Sequence, residues 1–468
     1  MVFSSLFFLY GFLPLLFLFY FLSKRTSYRN GVLIAASLLF YAWGEPVWIL
    51  LLLLCGLNGY WFARYIHRHR GTRRGKWLTA AAVSVNLAIL GFFKYADFLI
   101  ANLNLLPRLD LPYTEVALPI GISFFTFQMM SYLVDVYRGD VKQPGTFTHV
   151  LLYVSLFPQL IAGPIVRYRD IEHEFQDRRF SWPSFSEGIT RFVIGLGKKV
   201  ILANGCGELA PLFLDNQLSE ATVLGAWFGI LLFALQIYFD FSGYSDMAIG
   251  LGKMVGFTYP ENFNYPYISR SATEFWRRWN MSLGSFFRDY VYIPLGGNRR
   301  WQARNLFIVW FLTGLWHGAS WNFIFWGLYF GFLIYIEKLF LLRLLSKLPA
   351  FMSHIYATAA MLVGWVFFYF TDMSSGIHFF KTLLGLDEVK LYNLELQIYV
   401  MDHLFFLIVA IIACTPLPKR IADALAARLP AMERLRPLSI PLFNAAILFV
   451  STTMLVGSTY NPFLYFRF

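Results

Sequence analysis

Along the chain, apolar residues come in continuous runs, separated by short polar, basic or Gly- and Pro-containing stretches. They do not alternate with period two, as barrel strands would. Runs of roughly 20 apolar residues match the ~30 Å hydrocarbon layer as helices, and counting them gives an expectation of about ten to twelve spans. The predicted fold class is therefore an all-α integral membrane protein, a multi-span helical bundle. The opening run, MVFSSLFFLYGFLPLLFLFYFLS, lacks the basic start and small-residue cleavage site of a secretory signal and reads as an uncleaved first helix.

Composition supports this class. With 58% hydrophobic and only 14% charged residues, the chain has too little polar surface to cover a soluble globule of 468 residues. The net charge of +12 would otherwise suggest nucleic acid, but the basic residues sit in short clusters between spans, as in cytoplasmic loops of membrane proteins, so no nucleic-acid partner is expected. Lys24, Arg25 and Arg29 form one cluster and Arg64 to Lys76 another, with a hairpin turning at Gly44-Glu45-Pro46 between them. Placing both in the cytoplasm puts the N-terminus outside. The basic set from Lys419 to Arg436 precedes the last apolar run, Leu438 to Val456, and puts the C-terminal tail outside too. Cys55, Cys206 and Cys414 are scattered in apolar contexts, and no histidine pair has metal-ligand spacing, so neither a disulfide framework nor a metal site is expected.

One stretch carries a residue out of keeping with its surroundings. Asn305 to Ile336, NLFIVWFLTGLWHGASWNFIFWGLYFGFLIYI, is uncharged apart from His317. An ionisable side chain at membrane depth is costly unless it faces protein or a water-filled cavity. His317 lies thirteen residues past Arg304, or ~20 Å along a helix. The stretch either enters and returns, bending near Gly314-Leu315-Trp316-His317-Gly318, or crosses once at a tilt. From the residues alone, a core histidine bonded to a helix carbonyl and a catalytic one are equally good readings. Lys94, Asp240 and Asp246 also lie in apolar runs, where buried ion pairing or helix contacts account for them.

Upstream lies SRSATEFWRRWNMSLGSFFRDYVYIPLGGNRR, Ser269 to Arg300. Ser271 followed by Glu274 is a capping box, and Phe275, Trp279, Leu283, Phe286 and Tyr290 recur at helical spacing. The pattern predicts one amphipathic helix at the membrane boundary, ended by Pro294 and Gly296-Gly297, with Arg277, Arg278 and Arg288 on its polar side. Those arginines suit lipid phosphates. Asn280, beside Trp279, could instead donate its amide to an oxyanion or fix a substrate carbonyl.

Together with GLWHGASWNFIFWG, this segment, SFFTFQMMSYLVDVYRG, FPQLIAGPIVRY and DFSGYSDMAIGLGKMVGF resemble the membrane-bound O-acyltransferase family, MBOAT, and within it the membrane subunit of alginate-type polysaccharide O-acetyltransferases. The motifs run from about Pro119 to Trp326. The resemblance implies a single membrane domain over 1–468, with interfacial and re-entrant helices around a central tunnel. It implies that His317 matches the family's catalytic histidine and Asn280 its second position. Many alginate-type members carry histidine there, and an amide, which does not titrate, fits an orienting or oxyanion contact better than proton transfer. Imidazole suits the base that acyl transfer to a hydroxyl requires.

The tail at 459–468 ends in FLYFRF and resembles a terminal motif of the same relatives, whose tyrosine is proposed to carry the acyl group. Tyr465 is then a candidate acyl relay; an aromatic interfacial anchor is the alternative. The implied activity is transfer of acetyl from a cytoplasmic donor, with acetyl-CoA as donor substrate and no bound cofactor, to an exopolysaccharide outside. Arg277, Arg278, Arg288, Arg299 and Arg300 would meet the donor's phosphates, with Trp276 and Trp316 beside the reacting groups. The implied partners are membrane lipid and an extracytoplasmic SGNH-like acetyltransferase, and the implied location is the bacterial cytoplasmic membrane. The rivals are D-alanyl transfer to teichoic acid and a polysaccharide transporter, for which repeated halves with broken helices would be the sign.

Overall fold

The computed structural model describes residues 1–215, 220–428, 430–458, 460–461 and 463–464. Among the described residues the fold is helical, and its one extended pairing is an isolated bridge between Thr222 and Lys390. Five helices among the described residues are long and apolar enough to cross a membrane: Ile49–Arg68, Arg73–Leu103, Val223–Met254, Ala350–Tyr369 and Pro437–Gly457. The pair Leu394–Asp402 and Leu404–Ala413, bent by 64°, makes a sixth if it is one broken span. This is fewer than the apolar runs suggested. Left-handed glycines bound some helices, as Gly121 and Gly139 do for Ile122–Arg138, and the first helix, Leu13–Phe21 with its preceding π turn Phe8–Phe12, is short.

Contacts group the chain into two compact units, Met1–Phe192 with Tyr244–Glu261, and Val193–Gly243 with Asn262–Phe468. In the first, helices Thr26–Gly44 and Ile49–Arg68 flank the predicted Gly44-Glu45-Pro46 turn but make little contact with each other, and Ile49–Arg68 packs instead on Arg73–Leu103, Ile122–Arg138 and Phe147–Ser155. Arg178 is the unit's polar hub. The guanidinium donates to Asn30 Oδ1 and to the Tyr20 hydroxyl (3.3 Å), and lies 4.2 Å over the Phe257 ring. Asp246 is ion-paired with Arg191 at 2.6 Å, so its charge in an apolar run is met by a partner.

The second unit is built on a helical hairpin whose legs are Gln302–His317 and Trp321–Ile336. The stretch therefore turns back, and the single tilted crossing is excluded. The reversal falls at Gly318-Ala319-Ser320, just beyond the predicted bend. The first leg has 16 residues, about 24 Å of helix, which is less than the hydrocarbon thickness, while the second continues through a π turn, Glu337–Leu341, to Leu345. The legs touch backbone to backbone. A Cβ on Gly314 would stand 2.3 Å from the Phe323 carbonyl oxygen, and one on Gly327 2.3 Å from that of Trp310, so only glycine allows this approach. Pairing of 314 with 323 and of 310 with 327 sets an antiparallel register that leaves His317 at the tip.

Replacing Gly314 or Gly327 by leucine should cost several kcal/mol, since backbone must move to admit the side chain. Gly91→Ala, whose Cβ would meet nothing within 4 Å, should be neutral or slightly stabilising. Thermal unfolding in detergent distinguishes the two cases. A Gly314→Leu protein that melts with the wild type would refute the register.

Candidate active site

The motif segment starts as its sequence predicts. Ser271 Oγ accepts from the Glu274 N–H at 3.0 Å, and Glu274 Oε2 accepts from the Arg270 N–H at 3.0 Å, a capping box with its return bond one residue early. A second carboxylate does more. Glu337, 1% exposed and following directly on the second hairpin leg, accepts from the backbone N–H groups of Ala272 and Thr273 at 2.6 and 2.7 Å. The Tyr356 hydroxyl also donates to it, at 3.1 Å. The first turn of the short helix Ala272–Arg278 is thereby fixed to the hairpin by charge-assisted bonds in a buried setting.

That helix does not continue to Tyr290. It stops at Arg278, Trp279 is extended, and Asn280 takes a left-handed conformation (φ 42°, ψ 54°) before a second helix, Met281–Phe287, and a π turn, Arg288–Tyr292. The single amphipathic helix is thus two. Periodicity misses the break because Phe275, Trp279, Leu283 and Phe286 all remain buried on either side of it. Asparagine tolerates this backbone better than most residues. Its side chain does not cap the second helix. Asn262 does that work: its carbonyl accepts from Met281 N–H (2.9 Å), and its Oδ1 accepts from the Ser282 N–H and hydroxyl (3.1 and 2.8 Å). The Asn280 side chain is left to face a cavity.

The cavity has a volume of about 140 Å³ and is walled by Trp276, Asn280 and Leu283 from the motif helices and by Trp310, Thr313 and His317 from the first hairpin leg. An apolar cavity of about 150 Å³ holds a benzene molecule, so there is room for a small acyl group beside the histidine. The imidazole is held by aromatic edges. Its ring lies 5.0 Å from Trp316, 4.8 Å from Trp326 and 5.2 Å from Phe368, at interplanar angles of 78° to 80°. Trp276 in turn packs on Trp310 and Trp326 at 5.1 and 5.3 Å.

Of the candidate residues, His317, Asn280 and Trp276 come together in one cavity, and Trp316 supports the imidazole from the side. The arginines do not join them. Arg278 pairs with Glu274 at 2.9 Å and Arg288 with Asp289 at 2.6 Å, which leaves Arg277, exposed and with no carboxylate pair among the described residues, as the better anion contact of the three. Arg299 and Arg300 are exposed as well. Tyr465 lies outside the described residues. Sequence reasoning missed Asn262 and Glu337. A carboxylate ending a long apolar run is a signal that could have drawn attention to Glu337, whereas Asn262 acts on a helix twenty residues away and leaves no local trace.

Comparison with known proteins agrees with the geometry. The model of the family described as "MBOAT, membrane-bound O-acyltransferase family" matches residues 46–375. The chain is 38% identical to the probable alginate O-acetylase of Azotobacter vinelandii over the whole of both chains. It is 34% identical to the peptidoglycan O-acetyltransferase of Helicobacter pylori, over 84% of this chain and 82% of that one. The teichoic acid D-alanyltransferase of Bacillus subtilis is more distant, 29% identical over 45% of this chain and 56% of that one.

Asn280→Gly keeps the left-handed backbone and should unfold within about 1 kcal/mol of the wild type, whereas Asn280→Val, β-branched at positive φ, should lose about 2 kcal/mol. Parallel melting curves check this. Equal stability of the two variants would remove the backbone role.

Proposed function

The chain belongs to the membrane-bound O-acyltransferase family, and we propose that it passes an acetyl group from cytoplasmic acetyl-CoA across the bacterial cytoplasmic membrane for O-acetylation of an exopolysaccharide such as alginate. The observation that carries this reading is the joint presence of His317 and Asn280 on the wall of one small cavity. A nitrogen of the imidazole takes the proton of an attacking hydroxyl. The hydroxyl oxygen bonds to the thioester carbon, and the Asn280 amide donates to the oxygen that becomes negative. When the C–S bond breaks, the CoA sulfur leaves with the proton returned by the imidazolium, so the base is regenerated.

The first hydroxyl in this scheme is the phenol of Tyr465, which would leave the tail as a phenyl ester. A phenol departs more readily than an alkyl alcohol and suits onward transfer to an SGNH-like partner outside, which places the group on the polymer. Arg277 is the cation we assign to the donor's phosphates. The volume beside His317 accommodates an acetyl group.

His317→Ala should abolish acetyl transfer, by at least about a hundredfold, with the protein level unchanged. Asn280→Gly should lower it by about 10²-fold, as loss of an oxyanion donor does. Release of acetate from the isolated polymer by mild base measures both. Full polymer acetylation in the His317 variant would end the proposal, and alanine esters on teichoic acid in place of acetyl would redirect it to D-alanyl transfer. Tyr465→Phe should abolish polymer acetylation, and an undiminished level there would remove the relay alone.

A further inference from the structure

Inside the second unit, the last described residues of the chain run through the helical core. Phe463 and Leu464 are 4% and 1% exposed, and Leu464 belongs to the same buried cluster as Trp279 and Trp326. The segment is tied by polar contacts. The Tyr460 hydroxyl donates to the Gly207 carbonyl at 2.8 Å, and Asn204 Nδ2 lies 3.3 Å from both the Tyr460 carbonyl and Asn461 Oδ1. The deepest tie is charged: the backbone N–H of Leu464 donates to Asp240 Oδ2 at 2.8 Å, while Asp240 Oδ1 stands 2.7 Å from Lys199 Nζ. Both charged side chains are almost fully buried. Phe463 lies 5.8 Å from Phe241, the neighbour of Asp240.

We propose that Asp240, oriented by Lys199, is a positioning residue for acyl transfer: it seats the C-terminal segment in the core by the N–H of Leu464, the residue that precedes Tyr465 in sequence. The proposal rests on the relay reading above and adds the residue pair that holds the relay's segment in place. A carboxylate suits this task because a backbone N–H carries no side-chain identity, so the seat fixes the path of the chain rather than a particular side chain. The lysine occupies the other oxygen and leaves one acceptor for the tail. Nothing in the arrangement places Asp240 in contact with the reacting atoms.

The test uses the full-length protein in membranes, with Leu464→Cys as reporter and a membrane-impermeant maleimide as probe; the parent protein, whose three cysteines are buried, sets the baseline. Lys199→Met with Asp240→Leu removes the acceptor without leaving a buried unpaired charge, and its melting midpoint checks the fold. We expect labelling of residue 464 to accelerate at least about tenfold, as loss of a charged hydrogen bond would allow. In the same pair without the reporter, kcat for polymer acetylation should fall by a similar factor, with the KM for acetyl-CoA unchanged. Lys199→Met with Asp240→Asn, which restores a neutral acceptor, should recover much of both. Unchanged labelling in the Met/Leu protein would overturn the seat, and faster labelling with undiminished polymer acetylation would overturn its role in positioning. Failure of the relay reading is seen separately, as retained acetylation in Tyr465→Phe.

Discussion

The backbone contact between the two hairpin legs is the constraint on which the site depends. With glycine at 314 and 327, the legs meet without intervening side chains, and the reversal at Gly318 holds His317 at the end of a helix rather than midway along one. A straight span would present the imidazole to one neighbour. The tip of a hairpin lets it meet three aromatic rings and still border a cavity. Close packing of this kind also restricts rotamers, which suits the role proposed for His317, since a base must be held within a fraction of an ångström of the proton it takes.

The opposing wall is held by two polar residues that act at a distance. Glu337 ties the start of Ala272–Arg278 to the hairpin, and Asn262 caps Met281–Phe287 in place of Asn280. Each charge-assisted bond to Glu337 contributes roughly 1.5–3 kcal/mol and each neutral bond to Asn262 about 0.5–1.5 kcal/mol, which together help offset the ordering of seven-residue helices that would not be stable alone. Division of labour follows from the left-handed turn. It breaks the helix where an uninterrupted one would direct position 280 along the helix surface, and it leaves the amide free of capping duty.

Much of this was legible in the chain. Continuous apolar runs indicate the membrane class, the lone histidine in an uncharged stretch lies on the wall of the cavity, and the capping box locates the start of the motif helix within a residue. The number of full-length helices was not legible, because hydropathy measures apolar length and is blind to the turns that divide it. The break at Asn280 was hidden by the same periodicity that revealed the helix, since both pieces bury one continuous aromatic face. Arg278 and Arg288 read as anion contacts because the helical pattern does not show that Glu274 and Asp289 take up their charges.

Asp240 shows how a bland account and a sharper one can both hold. Ion pairing with Lys199 explains how the charge is tolerated, yet a buried pair adds little net stability, because desolvation of two charges consumes most of their attraction. Stability is therefore a weak explanation for placing two charges inside this core, where apolar residues of similar volume would pack as well. A carboxylate with one oxygen occupied by lysine differs from an apolar pair in having an acceptor to spare, and Leu464 N–H takes it. Without that acceptor the N–H would be buried unsatisfied, at a cost of about 1–3 kcal/mol, so Phe463 and Leu464 could not lie along this path. The ion pair matters less as a bond within the bundle than as the condition for a peptide segment to enter it.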